Sequence, residues 1–279
     1  MQTHQDDKLI SILKYFSLKA RVFQNGPLCH TASFDANLGL GYIHVLQSGD
    51  LSIETPGHPV TLLEEPSLFF YMNPTSHRLK PVDDQVEMVC ASFDFGTGLN
   101  NPLAIALPDM QIVKLAQTPS LNSTLQLLFN EAQTHRAGQQ AMLDRLMEVV
   151  IIQLLRELID KQHLKTGLLA GLAEPRLAKA ITAIHDQPGH PWTLHNLAEV
   201  AGMSRARFAS RFHEVVGTTA GNYLSAWRIG VAQSLLRRGK SMPLIADAVG
   251  YANASALSRA FSAQVGVSPA KWKKLNSIV

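Results

Sequence analysis

Leu197-Ala198-Glu199-Val200-Ala201-Gly202-Met203-Ser204 is repeated 48 positions later as Ile245-Ala246-Asp247-Ala248-Val249-Gly250-Tyr251-Ala252. Each copy is followed by an apolar pair four residues apart, Phe208/Phe212 and Leu257/Phe261, and then by Gly217-Thr218-Thr219 or Gly266-Val267-Ser268. The downstream offset is 49, so the second copy carries one extra residue between its landmarks. Two helices that cross steeply need a small residue where they touch, and Ala198 and Ala246 supply it. The tight turn between them needs a residue tolerant of positive φ, supplied four positions later by Gly202 and Gly250. Ser204 is placed to cap the helix that follows. One Ala-x3-Gly would mean little; two copies with matching sequels make chance hairpins improbable.

Helical periodicity assigns faces to the second helix of each pair. Phe208, Phe212 and Val215 fall on one side, with Ala206, Ala209, Ser210 and His213 opposite and Arg205, Arg207 and Arg211 flanking. In the second copy Leu257 and Phe261 point inward, while Ala254, Ser255, Ser258, Arg259 and Ser262 belong to the outward side. A central arginine such as Arg259 suits a bidentate contact with guanine O6 and N7. Arg205 and Arg207, with Lys271, Lys273 and Lys274, suit phosphates, which position a protein without specifying sequence. Ala206 and Ala209 permit close approach or touch a thymine methyl; Arg211 serves either a phosphate or an internal salt bridge; His213 reads as a solvent-facing passenger.

Charge agrees with a polyanion partner for this half. Residues 175–279 hold 13 Lys/Arg against 4 Asp/Glu, a net +9, whereas residues 1–174 hold 12 against 18, a net −6. The overall +3 conceals two oppositely charged halves. No apolar run approaches the roughly 18 residues needed to span a bilayer, and residues 1–9 lack the apolar core of a secretory signal. Two cysteines without CxxC spacing fit a reducing cytoplasm.

The region from Trp192-Thr193-Leu194 to Lys274 resembles the DNA-binding domain of AraC/XylS-type regulators. Trp227-Arg228, Ile245-Ala246, Val249-Gly250-Tyr251, Arg259-Ala260-Phe261 and Gly266-Val267-Ser268-Pro269 carry the resemblance. It implies seven helices and two helix-turn-helix units, about 193–217 and 241–266, whose reading helices enter successive major grooves about 34 Å apart. The helix bearing Trp227 would fix that separation. Positions 206, 209 and 210 carry shorter side chains than relatives often have.

The first hundred residues predict short strands, at Ile43–Leu46, Leu51–Ile53, Val60–Leu63, Leu68–Tyr71 and Glu87–Cys90, punctuated by Gly39-Leu40-Gly41, Ser48-Gly49-Asp50, Pro56-Gly57 and Asn73-Pro74. A helix over about Lys8–Phe16 precedes them. After Pro108 the pattern turns helical, with one helix over Asn122–Thr134, Asn122 as its cap, and another over Gln140–Gln162. The apolar stripe of the latter, Leu143 to Ile159, is wider than one seam requires, so part of it is expected to meet a second subunit. Thr166–Glu174 reads as a connector and Pro175 as the first residue of the next helix. Gly41-Tyr42-Ile43-His44, Ser48-Gly49-Asp50, Asn101-Pro102-Leu103 with Leu107-Pro108, and Leu146–Arg156 resemble the cupin-type effector and dimerisation domain of an AraC subgroup.

The expected fold is therefore α+β: a cupin-like β-barrel with a helical dimerisation segment (1–163), a linker (164–174), and an all-α DNA-binding domain (175–279). The expected function is a dimeric, effector-responsive transcriptional activator with double-stranded DNA, a small molecule and RNA polymerase as partners, no cofactor and no membrane. Against it stand a constitutive regulator whose barrel is only a dimer scaffold, and a cupin metal enzyme. The enzyme reading is disfavoured because His44 has no histidine partner at 42 or 46 and no Pro-x-Gly precedes His77. Cys29, His44, His77 and Cys90 have the ligand types of a zinc site, but the preferred reading makes both cysteines small buried hydrophobes and both histidines hydrogen-bonded. Those four, with Phe70 and Met72, are the candidate effector-pocket lining, and either cysteine is a candidate sensor of a thiol-reactive signal.

Overall fold

The computed structural model describes residues 7–36, 39–95, 110–161, 164 and 166–275, in two compact units. The first helix among the described residues, α1 (Ile10–Tyr15), is part of the helical unit that residues 161–275 complete. Residues 18–95 and 110–160 form the sheet unit.

Among the described residues nine strands build the sheet unit: β1 (Lys19–Pro27), β2 (Ala32–Phe34), β3 (Gly41–Ser48), β4 (Leu51–Glu54), β5 (Thr61–Leu63), β6 (Ser67–Tyr71), β7 (His77–Pro81), β8 (Glu87–Asp94) and β9 (Gln111–Lys114). They form two antiparallel sheets ordered β1-β8-β3-β6-β9 and β2-β7-β4-β5. Tyr42, Leu46, Phe69, Tyr71, Met88 and Cys90 from the first sheet pack with Leu51, Ile53, Leu63 and Leu79 from the second. Burial of these side chains, at about 25 cal/mol per Å² of apolar surface, holds the two layers together. At the β3–β4 turn Gly49 has φ +81°, and a Cβ there would stand 2.6 Å from the backbone of Val86.

The five expected strands correspond to β3, β4, β5, β6 and β8. The other four lack a strong apolar signature. In β7 only Leu79 is aliphatic, and a histidine takes the other inward place. β9 contradicts the helical reading after Pro108. Two 3-10 turns, Leu115–Gln117 and Pro119–Leu121, lead into α2 (Asn122–Ala132), so Asn122 is the first helical residue and caps nothing. The long helix α3 (Gln139–Asp160) buries all nine apolar residues of its stripe, from Leu143 to Ile159, within the single chain. These nine residues pack inside the chain, so any contact with a second subunit falls to the remaining face of α3, where Met142 and Val149 are exposed as large apolar residues. Asn101-Pro102-Leu103 and Leu107-Pro108 lie outside the described residues.

The helical unit continues with α4 (Leu168–Ala173), α5 (Pro175–Asp186), α6 (Leu194–Val200), α7 (Arg205–Val216), α8 (Ala220–Arg237), α9 (Met242–Ala248), α10 (Ala254–Val265) and α11 (Pro269–Leu275). The seven from α5 onward are those the resemblance implied, and Pro175 opens α5. The presumed connector is instead α4, whose Leu168, Leu169 and Leu172 are fully buried. Gly171 lets α4 close on Ile181 and Val216, where a Cβ would come within 2.6 Å and 3.0 Å of their side chains. A run of three leucines in six residues belongs in a core, so the helical unit begins before Pro175.

Gly49→Ala is expected to lower the stability of the sheet unit by more than the roughly 1–3 kcal/mol of left-handed backbone strain, because the Cβ also meets backbone. Gly57→Ala, at φ +79° with nothing within 4 Å, carries the strain alone. Urea unfolding of both variants checks this; equal losses would mean that the β3–β4 turn does not abut Val86.

Candidate nucleic-acid interface and barrel cavity

The two helix pairs are built alike. In the first, Thr193 caps α6 by accepting from the Asn196 N–H at 3.1 Å, and Met203 N–H donates to Ala198 O at 2.9 Å across a turn in which Gly202 has φ 62°. Ser204 Oγ accepts from Arg207 N–H at 3.4 Å and opens α7. In the second, Tyr251 N–H donates to Ala246 O at 2.9 Å, Gly250 has φ 74°, and Asn253 Oδ1 accepts from Ala256 N–H at 2.9 Å to open α10. The turns run over 201–204 and 249–253, which is the extra residue that the repeat offset required. Ala198 and Ala246 are buried at the helix crossings, as their size demanded.

Phe208, Phe212, Val215, Leu257 and Phe261 are buried, so the outward faces are those expected. Ser204, Arg205, Ala206, Arg207, Ser210 and His213 are exposed on α7, with Ala209 partly so. Ser255 and Arg259 are exposed on α10, Ala254, Ser258 and Ser262 are half-buried, and Lys271, Lys273 and Lys274 are exposed on α11. Arg211 is engaged internally: its Nε and Nη2 lie 2.9 and 2.8 Å from Glu174 Oε2, and Nη1 lies 3.0 Å from Glu214. Those hydrogen bonds raise its pKa further. Arg211 thus joins the start of α5 to α7.

Arg228, recognised in the sequence only through its pattern with Trp227, ties the two pairs together. From α8 it donates to Pro188 O at 2.7 Å and His190 O at 2.8 Å, just ahead of α6, and its guanidinium lies 5.9 Å from the Tyr251 ring in the second turn. A Cβ on Gly250 would stand 2.8 Å from this guanidinium, so the glycine also makes room for it.

In the barrel, His44 on β3 and His77 on β7 meet at 2.9 Å between their Nε2 atoms. His77 Nδ1–H donates to Thr75 O at 2.8 Å, which leaves its Nε2 as acceptor and makes His44 Nε2–H the donor. His44 Nδ1 then holds a buried lone pair with no hydrogen-bond partner among the described residues. Aromatic rings enclose the pair: His44 stacks on Phe69 at 4.8 Å, and His77 on Tyr71 at 4.1 Å and Phe34 at 4.6 Å. Burial depresses both imidazole pKa values, that of His77 to about 4, and the nearby His77 lowers His44 further.

The other pocket candidates separate. Cys90 pairs across the ladder with His44, and burial pushes its thiol pKa up, which makes it a poor nucleophile. Cys29 is exposed after β1, which corrects its reading as a buried hydrophobe. Phe70 pairs with Ile43, whereas His44 pairs with Phe69. Phe70 therefore lies on the opposite face of β6 from the histidines and Met72 lies beyond the end of the strand, while Phe69 and Tyr71 stack on the histidines. A pleat alternates strictly, and a continuous Leu-Phe-Phe-Tyr-Met run gives no hint of which parity points in. Among the described residues no three His, Cys, Asp or Glu side chains assemble as metal ligands. A groove of about 450 Å³ opens over the second sheet, lined by Phe34, Thr55, Val60, His77 and the Glu54–Arg78 ion pair.

The histidines give a pH signature. His185 in the helical unit is likewise buried and depressed to about 3. All three stay neutral in the fold while the unfolded chain takes up protons below its ordinary value near 6.5. Their contribution to stability is thus complete above pH 6.5 and is lost as pH falls toward 4. Urea titrations across this window are expected to show the decline, with a shallower slope for His77→Asn; a flat profile would contradict the neutral pair.

A profile of the cupin family matches residues 7–160, and one of a helix-turn-helix domain matches residues 197–275. A Streptomyces lividans protein named as an AraC-like transcription regulator is 35% identical over 196 residues, 68% of this chain and 64% of that protein, so the aligned part spans less than two thirds of that relative. The RCS-specific HTH-type transcriptional activator RclR of Escherichia coli is 28% identical over 241 residues, 83% of each chain. Among solved structures, ToxT from Vibrio cholerae is 14% identical, with a TM-score of 0.43 over 95% of this chain and all of that one. The cupin match over more than half the chain, the helix-turn-helix match and the AraC-like relatives agree with the paired helices just described: the chain belongs to the AraC-type transcriptional regulators with an amino-terminal cupin domain.

Proposed function

We propose that the chain is an effector-responsive transcriptional activator that reads DNA with α7 and α10. The observation that carries this reading is the pair of capped, outward-facing helices, α7 and α10, each on the same Ala-turn-Gly frame, with Arg228 of α8 bonded to the backbone ahead of α6 and packed on Tyr251 in the turn ahead of α10. Arg259 takes the base-reading role and Arg205 and Arg207 the phosphate role, all three being exposed. Arg211 is a positioning residue, because its guanidinium is committed to Glu174 and Glu214. The Escherichia coli relative is named an activator, which supports RNA polymerase as a further partner.

The effector occupies the groove over the second sheet. Its walls are largely apolar, at Phe34, Pro56 and Val60, with Thr55 and His77 as polar points, so it suits a small apolar molecule carrying one polar group. A second copy of the chain pairs through the outer face of α3, where Met142 and Val149 are exposed one heptad apart. Val149→Asp is expected to shift sedimentation toward the monomer without altering the circular dichroism; unchanged dimer would move the interface elsewhere.

Selection of bound sequences from random duplexes by the full-length protein tests the DNA reading. A motif of two blocks about one helical turn apart is expected. Arg259→Ala is expected to cost about 1–3 kcal/mol and relax one base pair, whereas Arg205→Ala weakens all sequences alike. Uniform loss from Arg259→Ala would make it a phosphate contact, and recovery of no motif would overturn sequence reading. For the effector, a small molecule that raises the melting temperature is expected to lose that effect on a Val60→Trp variant with a filled groove.

A further inference from the structure

The helical unit contains a helix from the far end of the chain. Ile12 and Phe16 of the α1 segment are completely or almost completely buried, and Leu9 is 4% exposed. Phe16 meets Trp227 of α8 edge to face at 5.0 Å and 85°, and Tyr15 meets the same indole at 6.3 Å. Ser11 Oγ–H donates to Asp186 at the end of α5. The carbonyls at the α1 carboxy-terminus, which no intrahelical donor satisfies, are taken by α8: Arg238 donates to Lys14 O at 2.8 Å, and Ser234 Oγ–H donates to Tyr15 O. Arg238 also places a cation at the negative end of the α1 dipole. Six residues do not hold a helix alone in water, so α1 exists because it is docked.

What α1 rests on leads to the first reading helix. Trp227 stacks on His185 at 3.6 Å and 18°, His185 Nε2 lies 2.5 Å from Tyr223 Oη, and Tyr223 meets Phe212 of α7 at 5.7 Å. His185 Nδ1 and Trp227 Nε1 are buried without hydrogen-bond partners among the described residues, so this stack is set by packing more than by polar bonds. Packing of that kind shifts when one wall is withdrawn.

We infer that residues 9–16 are a positioning segment of the DNA-binding unit, whose docking on α5 and α8 fixes α8 and, through the Trp227–His185–Tyr223–Phe212 stack, the setting of α7. DNA reading by the carboxy-terminal helices thereby depends on the amino-terminal segment. The inference rests on the proposal that α7 and α10 read DNA.

The test uses the full chain and two readouts. Hydrogen exchange at residues 9–16 reports docking without DNA. Affinity is then measured for the duplex selected by the wild-type protein, and for the same duplex with two base pairs inserted between its reading blocks. Wild-type α1 is expected to be protected; the Ile12→Ala/Phe16→Ala double variant loses that protection, binds the selected duplex about tenfold more weakly, and discriminates less between the two spacings. Phe16→Leu, which keeps the apolar bulk, restores most of both. Loss of protection with unchanged affinity and discrimination would overturn the inference while leaving the DNA reading intact, as would unprotected α1 in the wild type. Recovery of no motif in the selection would remove the DNA reading and this inference with it. Where the double variant loses its helical circular dichroism, Ser234→Ala replaces it, with a smaller effect of the same sign expected and unchanged binding with released α1 again overturning the inference.

Discussion

Trp227 is the largest fully buried side chain of the protein, and it lies in the helix between the two helix-turn-helix units. His185 covers one face of its indole and Phe16 meets it edge-on, which draws α5 and α1 against α8. One residue along, Arg228 holds the backbone ahead of α6 and the turn ahead of α10. Two neighbouring side chains on one helix therefore anchor both reading units, one by enclosed apolar surface and the other by charge-assisted bonds to carbonyls.

The DNA-binding half was legible because it is written twice. Ala198/Gly202 and Ala246/Gly250 confirm one another, and the predicted faces of α7 and α10 follow from apolar pairs four apart. The barrel was legible only where strands were strongly apolar. β1 and β7 alternate polar and apolar residues too quietly, and β6 is apolar on both faces, so the parity that separates Phe69 from Phe70 is visible only in the ladder with β3. α4 reads as a connector in the sequence because it is short, and the docking of α1 leaves no sequence signal because its partners lie more than 170 residues away. Arg211, left open between phosphate and salt bridge, is decided by Glu174, a residue that nothing in the helical periodicity connects with it.

The histidines of the cupin domain are bonded to their own neighbours. Each is spent on a neighbour, His77 on Thr75 and His44 on His77, inside a box of aromatic rings. Cys90 is buried opposite His44 in the β3–β8 ladder, whereas Cys29 is exposed after β1, so the four residues that share the ligand types of a metal site do not all converge. What remains is a buried, neutral pair beside the groove, in which His44 Nδ1 has no hydrogen-bond partner among the described residues.

The placement of α1 has a consequence for how the chain matures. Trp227 and Ser234 follow it by more than two hundred residues. At about 5–20 residues per second, roughly 10–40 s of synthesis separates Phe16 from its partner. During that interval a segment carrying Ile12 and Phe16 has nothing to bury them against in its own unit. The strands that follow it are synthesised and able to pair in the meantime. Closure of the helical unit is thus a long-range event, which waits on residues more than two hundred positions downstream of α1.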